Sequence, residues 1–189
     1  MGEYTTRACT DAELKDIVSL IRKGYIDNDG VPHKPNNQVA DIIVLESNLG
    51  CRIGDIVNLR RDNFVCDNGI WKIDIIEEKT DKHRTFIVPK PVKEFIDKLD
   101  YGEDGYIFSI KKHAVWKQLR AVTKVLGLEN ISSHSFRKKM AQDLYSTSGN
   151  DIELVCEYLQ HDSISTTRRY LRRSSAKLEK AINSVINIL

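Results

Sequence analysis

Two stretches, SSHSFRKK (Ser132–Lys139) and LQHDSISTTRRY (Leu159–Tyr170), with the helix-like segment between them, set the reading of the whole chain. His134 and Arg137 stand three residues apart, one helical turn, so both side chains project the same way from a helix that Ser132 or Ser133 can cap. A helix N-terminus offers backbone N–H groups and positive dipole charge to an anion. Guanidinium matches phosphate oxygens bidentately, which ammonium does not. The same pair equally describes a solvated helix face. After about Tyr145 the pattern breaks at Ser148-Gly149-Asn150. Asp151 can cap a helix from Ile152 to Leu159, and Ser163 opens another through about Leu171. His161 falls at the junction, where a histidine serves as a cap, as a buried donor or as a donor to phosphate. A His, an Arg, a second His and a Tyr in this order suggest phosphate chemistry without a metal.

Working outward, Thr10-Asp11-Ala12-Glu13 fits a capping box ahead of Leu14, Ile17, Val18 and Ile21, predicting a helix from about Asp11 to Lys23. Asn28-Asp29-Gly30 and Pro32 to Asn37 mark an exposed loop. Val39 to Leu49 reads as a buried helix, ended by Gly50 in a left-handed conformation. Arg52 to Arg61 resumes a helical pattern, with Ile53, Ile56, Val57 and Leu59 as its apolar side. Three strands follow: Asn63 to Cys66, Ile70 to Ile76 beyond the Asp67-Asn68-Gly69 turn, and Arg84 to Val88 beyond a polar turn. Pro91 suits the first residue of a helix reaching Leu99, and Tyr106 to Phe108 suits a short buried extension. Lys112 to Leu126 is helical. Ser174 or Ser175 starts a last helix with Leu178, Ile182, Val185, Ile186 and Leu189 on one face. The fold class is α+β: a mostly helical single domain with one small three-stranded antiparallel sheet. Residues 1–9 read as a flexible N-terminus.

A chain of 189 residues, 41% apolar and 30% charged, suits one soluble domain with a sizeable core. No apolar run approaches the ~18–20 residues of a membrane span, and no basic, apolar leader precedes the first helix. The expectation is a cytoplasmic protein without a membrane partner. Cys9, Cys51, Cys66 and Cys156 are scattered and form no Cys-x-x-Cys pair, so reduced core cysteines are expected. Net charge is only +2, but Arg60-Arg61, Lys111-Lys112, Arg137-Lys138-Lys139, Arg168-Arg169 and Arg172-Arg173 cluster, while acids gather at Glu77-Glu78 and from Asp97 to Asp104. That distribution predicts a basic face for phosphate contacts, though it also fits solvated surface charge.

Tyr170 lies among Arg168, Arg169, Arg172 and Arg173. Cations there would hold a polyanion near a phenol whose free pKa is about 10 and favour its ionised form. A phenolate attacking phosphorus gives a covalent phosphotyrosine that conserves the ester's energy. A pentavalent phosphorane needs a second cation cluster. Arg52, in Leu49-Gly50-Cys51-Arg52-Ile53-Gly54-Asp55, is the candidate, with Asp55 one turn later to orient it; a structural Arg–Asp pair has the same pattern. The leaving hydroxyl needs a proton. Lys79, in the turn Glu77-Glu78-Lys79-Thr80-Asp81-Lys82, is the candidate donor, with Lys82 its rival and a solvated hairpin lysine the plain alternative. No acidic cluster suggests magnesium, and no phosphate loop or nucleophile elbow is present.

Together, the Gly50 to Asp55 helix start, the Glu78-Lys79-Thr80 hairpin with Arg84 to Pro89, the His134-Ser135-Phe136-Arg137 box and Leu159-Gln160-His161 to Tyr170 resemble the catalytic domain of tyrosine recombinases, the phage integrase and Xer-type enzymes. The match runs from about Thr10 to the chain end. It implies a tyrosine recombinase fold, with residues 10–174 as catalytic domain, 175–189 as a C-terminal helix able to dock on another subunit or on its own core, and the N-terminal core-binding domain absent. It implies that Arg52 and Arg137 clamp the scissile phosphate, Lys79 protonates the leaving oxygen, His134 and His161 serve the non-bridging oxygens or the nucleophile's proton, Tyr170 attacks, and Asp55 supports Arg52. Function follows as site-specific cutting and rejoining of double-stranded DNA through a 3′-phosphotyrosine, with no metal, cofactor or ATP. The implied setting is a mobile genetic element, a tetrameric synapse and a nucleoid-associated protein. A type IB topoisomerase and a catalytically silent DNA-binding regulator are the alternatives. Gln160 stands where such proteins usually have Gly, and Lys138 where His is common.

Overall fold

The computed structural model describes residues 6–79 and 81–171. It is mostly helical, with small antiparallel sheets, and divides into two compact units, Met1–Met140 and Ala141–Leu189. Among the described residues no helix is long and apolar enough to cross a membrane.

In the first unit, α1 (Asp11–Lys23) starts on the capping box read from sequence: the Thr10 hydroxyl accepts from the Glu13 N–H at 3.2 Å and the Glu13 carboxylate accepts from the Thr10 N–H at 2.9 Å. The segment ahead of it is tied down by Arg7, which donates to Glu13 at 2.8 Å, and by buried Cys9, whose N–H reaches the Ser135 carbonyl at 3.3 Å. A two-residue pair, β1 (Tyr25–Ile26) with β2 (Pro32–His33), then forms a second, two-stranded sheet where only loop was expected. Strands this short carry no readable period. Tyr25 and His33 stack at 4.6 Å, which fixes the pairing.

Helix α2 (Asn37–Leu49) is buried nearly all round, with Val39, Ala40, Ile42, Ile43, Leu45 and Leu49 at 0–1% exposure. Each large apolar side chain hidden this way contributes about 1.5–3 kcal/mol. The helix ends at Gly50, left-handed at φ 61°, with the Gly50 N–H on the Glu46 carbonyl at 3.0 Å. The next helix is shorter than its pattern predicts. Helix α3 covers only Ile53–Val57, not Arg52 to Arg61. The Asn58 amide donates to the Gly54 carbonyl at 2.9 Å, and the backbone from Leu59 to Arg61 pairs instead with Gly105 to Ile107. A tertiary ladder outcompetes the helix.

After a 3-10 turn (Arg61–Asn63) come β3 (Phe64–Asp67), β4 (Ile70–Ile76) and β5 (His83–Ile87), an antiparallel meander in the order β3-β4-β5. Asn68 and Gly69 both take positive φ, 50° and 80°, as a two-residue hairpin loop of the primed type requires. Ile73 is fully buried, with Trp71, Ile75 and Phe64 packed on the same core, while Val65, Ile70 and Ile87 are exposed. Helix α4 (Lys90–Ile96) begins one residue before Pro91, so the proline is its second residue, and α5 (Lys112–Val125) follows. Helix α6 (Ser133–Thr147) crosses the boundary between units.

The second unit has its own small core of Ala141, Val155 and Leu159, with Leu144, Tyr145, Tyr158, Tyr170 and Leu171 against it. Asp151 caps α7 (Ile152–Tyr158) through the Glu153 and Leu154 N–H groups, both at 3.0 Å. Ser163 caps α8 (Ile164–Tyr170). The expected last helix, residues 175–189, lies outside the described residues.

Candidate active site

In the first unit, Arg52 caps the start of α3 in extended backbone, and its guanidinium meets the Glu77 carboxylate just beyond β4. The same Glu77 oxygen accepts from Arg84 Nη1 at 2.8 Å. Arg84 is fully buried and Glu77 nearly so, at 0% and 4% side-chain exposure, whereas Arg52 keeps 23%. A guanidinium this deep needs an acid, and Glu77 is that acid. Neither Glu77 nor Arg84 stood out in the sequence, where Glu77 reads as part of an acidic block away from the basic groups. The register carried the signal. Arg84 pairs with Ile75, and Ile73, Ile75 and Glu77 share one parity, so Arg84 and Glu77 belong to the inward face.

Asp55 was expected to orient Arg52. The structure places its Oδ1 on the Glu78 N–H at 3.0 Å, tying α3 to the turn after β4. Burial raises the Asp55 pKa; the Glu78 hydrogen bond lowers it, Glu77 raises it, and Arg52 and Arg84 lower it. The turn docks a second way. Gly54 lies so close to the Glu78 carboxylate that a Cβ there would sit 1.9 Å from an oxygen, and Lys112 holds that carboxylate at 2.5 Å. Lys79, next in the chain, is exposed at the turn.

Helix α6 brings the other half. Arg137 is 1% exposed and donates to the carbonyl of Gly50. Near it, Glu46 is 1% exposed; burial lifts its pKa well above the usual carboxylate range, against the pull of Arg137. His134 lies at the surface with part of its ring desolvated. Its pKa is lowered first by that desolvation and then by the charges of Arg137, Lys79, Lys138 and Arg52. The structure therefore brings Arg52, Lys79, His134 and Arg137 into one electropositive neighbourhood, drawn from three separate segments. Burial of Cys51 in the same region pushes its thiol up to about 12.

Among the described residues of the first unit, the basic clusters carry acids of their own, while Arg172-Arg173 lie outside the described residues. Arg60 pairs with Asp62 and lies 4.6 Å from the Tyr106 ring, Arg61 donates to the Leu99 carbonyl, Lys112 takes Glu78, and Lys139 takes Asp11 at 2.7 Å. Much of the positive charge is spent on the chain's own contacts.

In the second unit, α7 ends in a Schellman motif: the Gln160 N–H bonds the Glu157 carbonyl at 2.9 Å and the His161 N–H bonds the Cys156 carbonyl at 3.0 Å. Gln160 occupies the left-handed position, φ 48°, which is where a glycine is easiest. This turn aims His161. Its Nδ1 shares a hydrogen with the buried Thr167 hydroxyl at 2.9 Å, and its ring centroid lies 4.8 Å from that of Tyr170, tilted by 60°. The Gln142 amide donates to the Tyr170 carbonyl at 3.3 Å. Thr167 is a partner the sequence reading missed; its place six residues after His161, one residue before Arg168, was the available signal.

Comparison with known proteins bears on this arrangement. The model of the phage integrase family matches residues 11–177. A probable integrase/recombinase of Methanocaldococcus jannaschii is 29% identical over 178 residues, covering 85% of this chain and 52% of that protein. Among solved structures, the XerH site-specific recombinase bound to its difH substrate in a pre-cleavage complex superposes with a TM-score of 0.63 at 21% identity, over 93% of this chain and 53% of that one. The catalytic domain of bacteriophage HP1 integrase superposes with a TM-score of 0.61 at 15% identity, over 94% of each chain. The chain thus spans about half the length of the curated relative.

Proposed function

The chain belongs to the phage integrase family, and from that premise we propose that it is the catalytic part of a site-specific DNA recombinase, with Tyr170 as nucleophile. In the first step the Tyr170 oxygen attacks the scissile phosphorus and the bond from phosphorus to the 5′ oxygen breaks. The product is a 3′-phosphotyrosine and a free 5′ hydroxyl. Lys79 supplies the proton to the leaving oxygen. The phenolic proton passes to a histidine, His134 or His161. In the second step the 5′ hydroxyl of a partner strand attacks the phosphotyrosine, and the tyrosine leaves. Bonds are conserved overall, so strands exchange without net hydrolysis. Arg52 and Arg137 carry the charge that builds on the non-bridging oxygens. Double-stranded DNA is the proposed substrate, and self-association on it, with residues 175–189 as docking element, is the proposed assembly.

The observation that carries this reading is the convergence of charge on His134. Desolvation of the ring lowers its pKa first, and the charges of Arg137, Lys79, Lys138 and Arg52 lower it further, which suits a site built to receive an anion. A neutral imidazole there is able to accept a proton as well as donate one.

The test uses a nicked suicide duplex, built on the site that the wild-type chain selects from a random-sequence pool. Wild type should accumulate a covalent protein–DNA adduct, and Tyr170→Phe should form none. An adduct persisting in Tyr170→Phe would remove Tyr170 as nucleophile. A DNA shift with no adduct in wild type would favour the silent regulator, and relaxation of supercoils without strand exchange would favour the topoisomerase.

A further inference from the structure

We propose that Glu77 is a positioning residue: it holds Arg52 against the sheet, through Arg84, so that the exposed part of the Arg52 guanidinium faces the phosphate in a fixed orientation. The inference rests on the recombinase reading above and goes beyond it, since it assigns the order of that half of the clamp to a hairpin carboxylate.

The geometry is a chain of supports. Arg84 sits in β5 opposite Ile75 and its side chain has no exposed surface. It donates to Glu77 Oε1 at 2.8 Å. The same oxygen is in ion-pair contact with Arg52 Nη1, a buried nitrogen that makes no hydrogen bond among the described residues. One acceptor thus joins a guanidinium that is locked in the sheet to one that reaches solvent. Arg52 needs such a hold. It stands at the cap position of a five-residue helix, and its side chain makes no capping hydrogen bond. A long side chain there has many rotamers, and each must be lost before a bidentate contact to phosphate forms. Losing them in advance is preorganisation.

Charge argues the same way. A carboxylate beside a phosphate site opposes binding, so Glu77 is a poor element for affinity. Two guanidiniums share the Glu77 carboxylate, which lies on the buried side, and Asp55 feels the charge of all three. Asp55, the acid the sequence suggested for this task, is engaged with the Glu78 backbone instead. Glu77 therefore serves the transition state through Arg52's aim while contributing little or nothing to ground-state binding. In kinetic terms the signature is a change in cleavage rate without a matching change in affinity.

The experiment compares wild type, Glu77→Gln, Arg52→Ala and the double variant on the suicide duplex, measuring single-turnover adduct formation and, separately, DNA Kd. Glu77→Gln is expected to slow adduct formation at least ~10-fold while Kd moves less than ~3-fold. In the Arg52→Ala background, Glu77→Gln is expected to add nothing, because its action runs through the missing guanidinium. A variant with Glu77→Leu and Arg84→Met, which removes both buried charges and so keeps the fold, should show the same slow cleavage. A wild-type rate in Glu77→Gln or in that paired variant overturns the assignment. So does a loss of affinity equal to the loss of rate, or a full further loss in the Arg52→Ala background. Failure of wild type itself to form an adduct sinks the recombinase reading and this assignment with it; the variant results separate the two.

Discussion

Replacing Glu46 with Gln tests what stands behind Arg137. Glu46 fills the last turn of α2 at 1% exposure, and its Oε2 has no hydrogen-bond partner among the described residues. Burial raises its pKa well above the ordinary value of 4.5, and the Arg137 charge only partly opposes that. The native carboxyl therefore stays protonated where the unfolded one is ionised. Above pH 4.5 the native state binds more protons than the unfolded state, so stability falls as pH rises. The limiting slope is about 1.4 kcal/mol per pH unit, up to the pH at which the native group ionises. Below pH 4.5 both states are protonated, Glu and Gln are nearly isosteric, and the two proteins should agree within about 1 kcal/mol. The glutamine does not titrate, so Glu46→Gln should pull ahead of wild type as pH rises. Urea unfolding followed by tryptophan fluorescence from about pH 4 to 8 measures this with linear extrapolation. Both tryptophans, Trp71 and Trp116, lie in the first unit, so the signal reports the unit that holds Glu46. The opposite trend would refute the reasoning. Were Glu46 ionised against Arg137, removing it would break a buried pair, and wild type would lead at neutral pH by about 3–5 kcal/mol.

Two further outcomes follow from the geometry. Gln160 holds a left-handed backbone at φ 48°, so Gln160→Gly should be about 1 kcal/mol more stable than Gln160→Ala in thermal unfolding; equal stability of the two would remove the strain argument, since both lose the Gln160 amide and differ only in the Cβ. His134 should titrate below 6.5 by NMR and move upward in Lys79→Ala, because one of the cations that depress it is gone. Its folded pKa lies below its unfolded one, so its stabilising share is complete above pH 6.5 and is lost as pH falls through the folded value. A midpoint at or above 6.5 would contradict the cation cluster.

Most of the secondary structure was legible because its signals are local. Thr10 and Glu13 announce α1, and Asn68-Gly69 announces the hairpin before β4. The long helices α1 and α5, periodic, and α2, apolar nearly all round, fall within a few residues of their predicted spans. What escaped is tertiary in origin. Helix α3 stops early because backbone from Gly105 to Ile107 claims Leu59 to Arg61, a competition that no local window contains. Arg84 and Glu77 escaped because each looks like surface charge until the β4–β5 register turns it inward. The Gln160 departure was visible as a residue out of pattern, and the positive φ supplies its physical meaning. For the candidate site, chain order marked the residues, while their supports, Glu77 behind Arg52 and Thr167 beside His161, emerge only from the folded geometry.

Gly50 shows how closely fold and chemistry are bound in this chain. Its left-handed backbone ends α2, and its carbonyl accepts from Arg137. Any side chain at this position has to hold the same left-handed backbone that presents the carbonyl to the guanidinium. Selection acting on position 50 therefore has no separate handle on stability and on activity. A substitution tolerated elsewhere as a small loss of folding free energy would here be charged twice, so lineages drifting toward lower stability are expected to keep this glycine while changing the apolar residues packed around it.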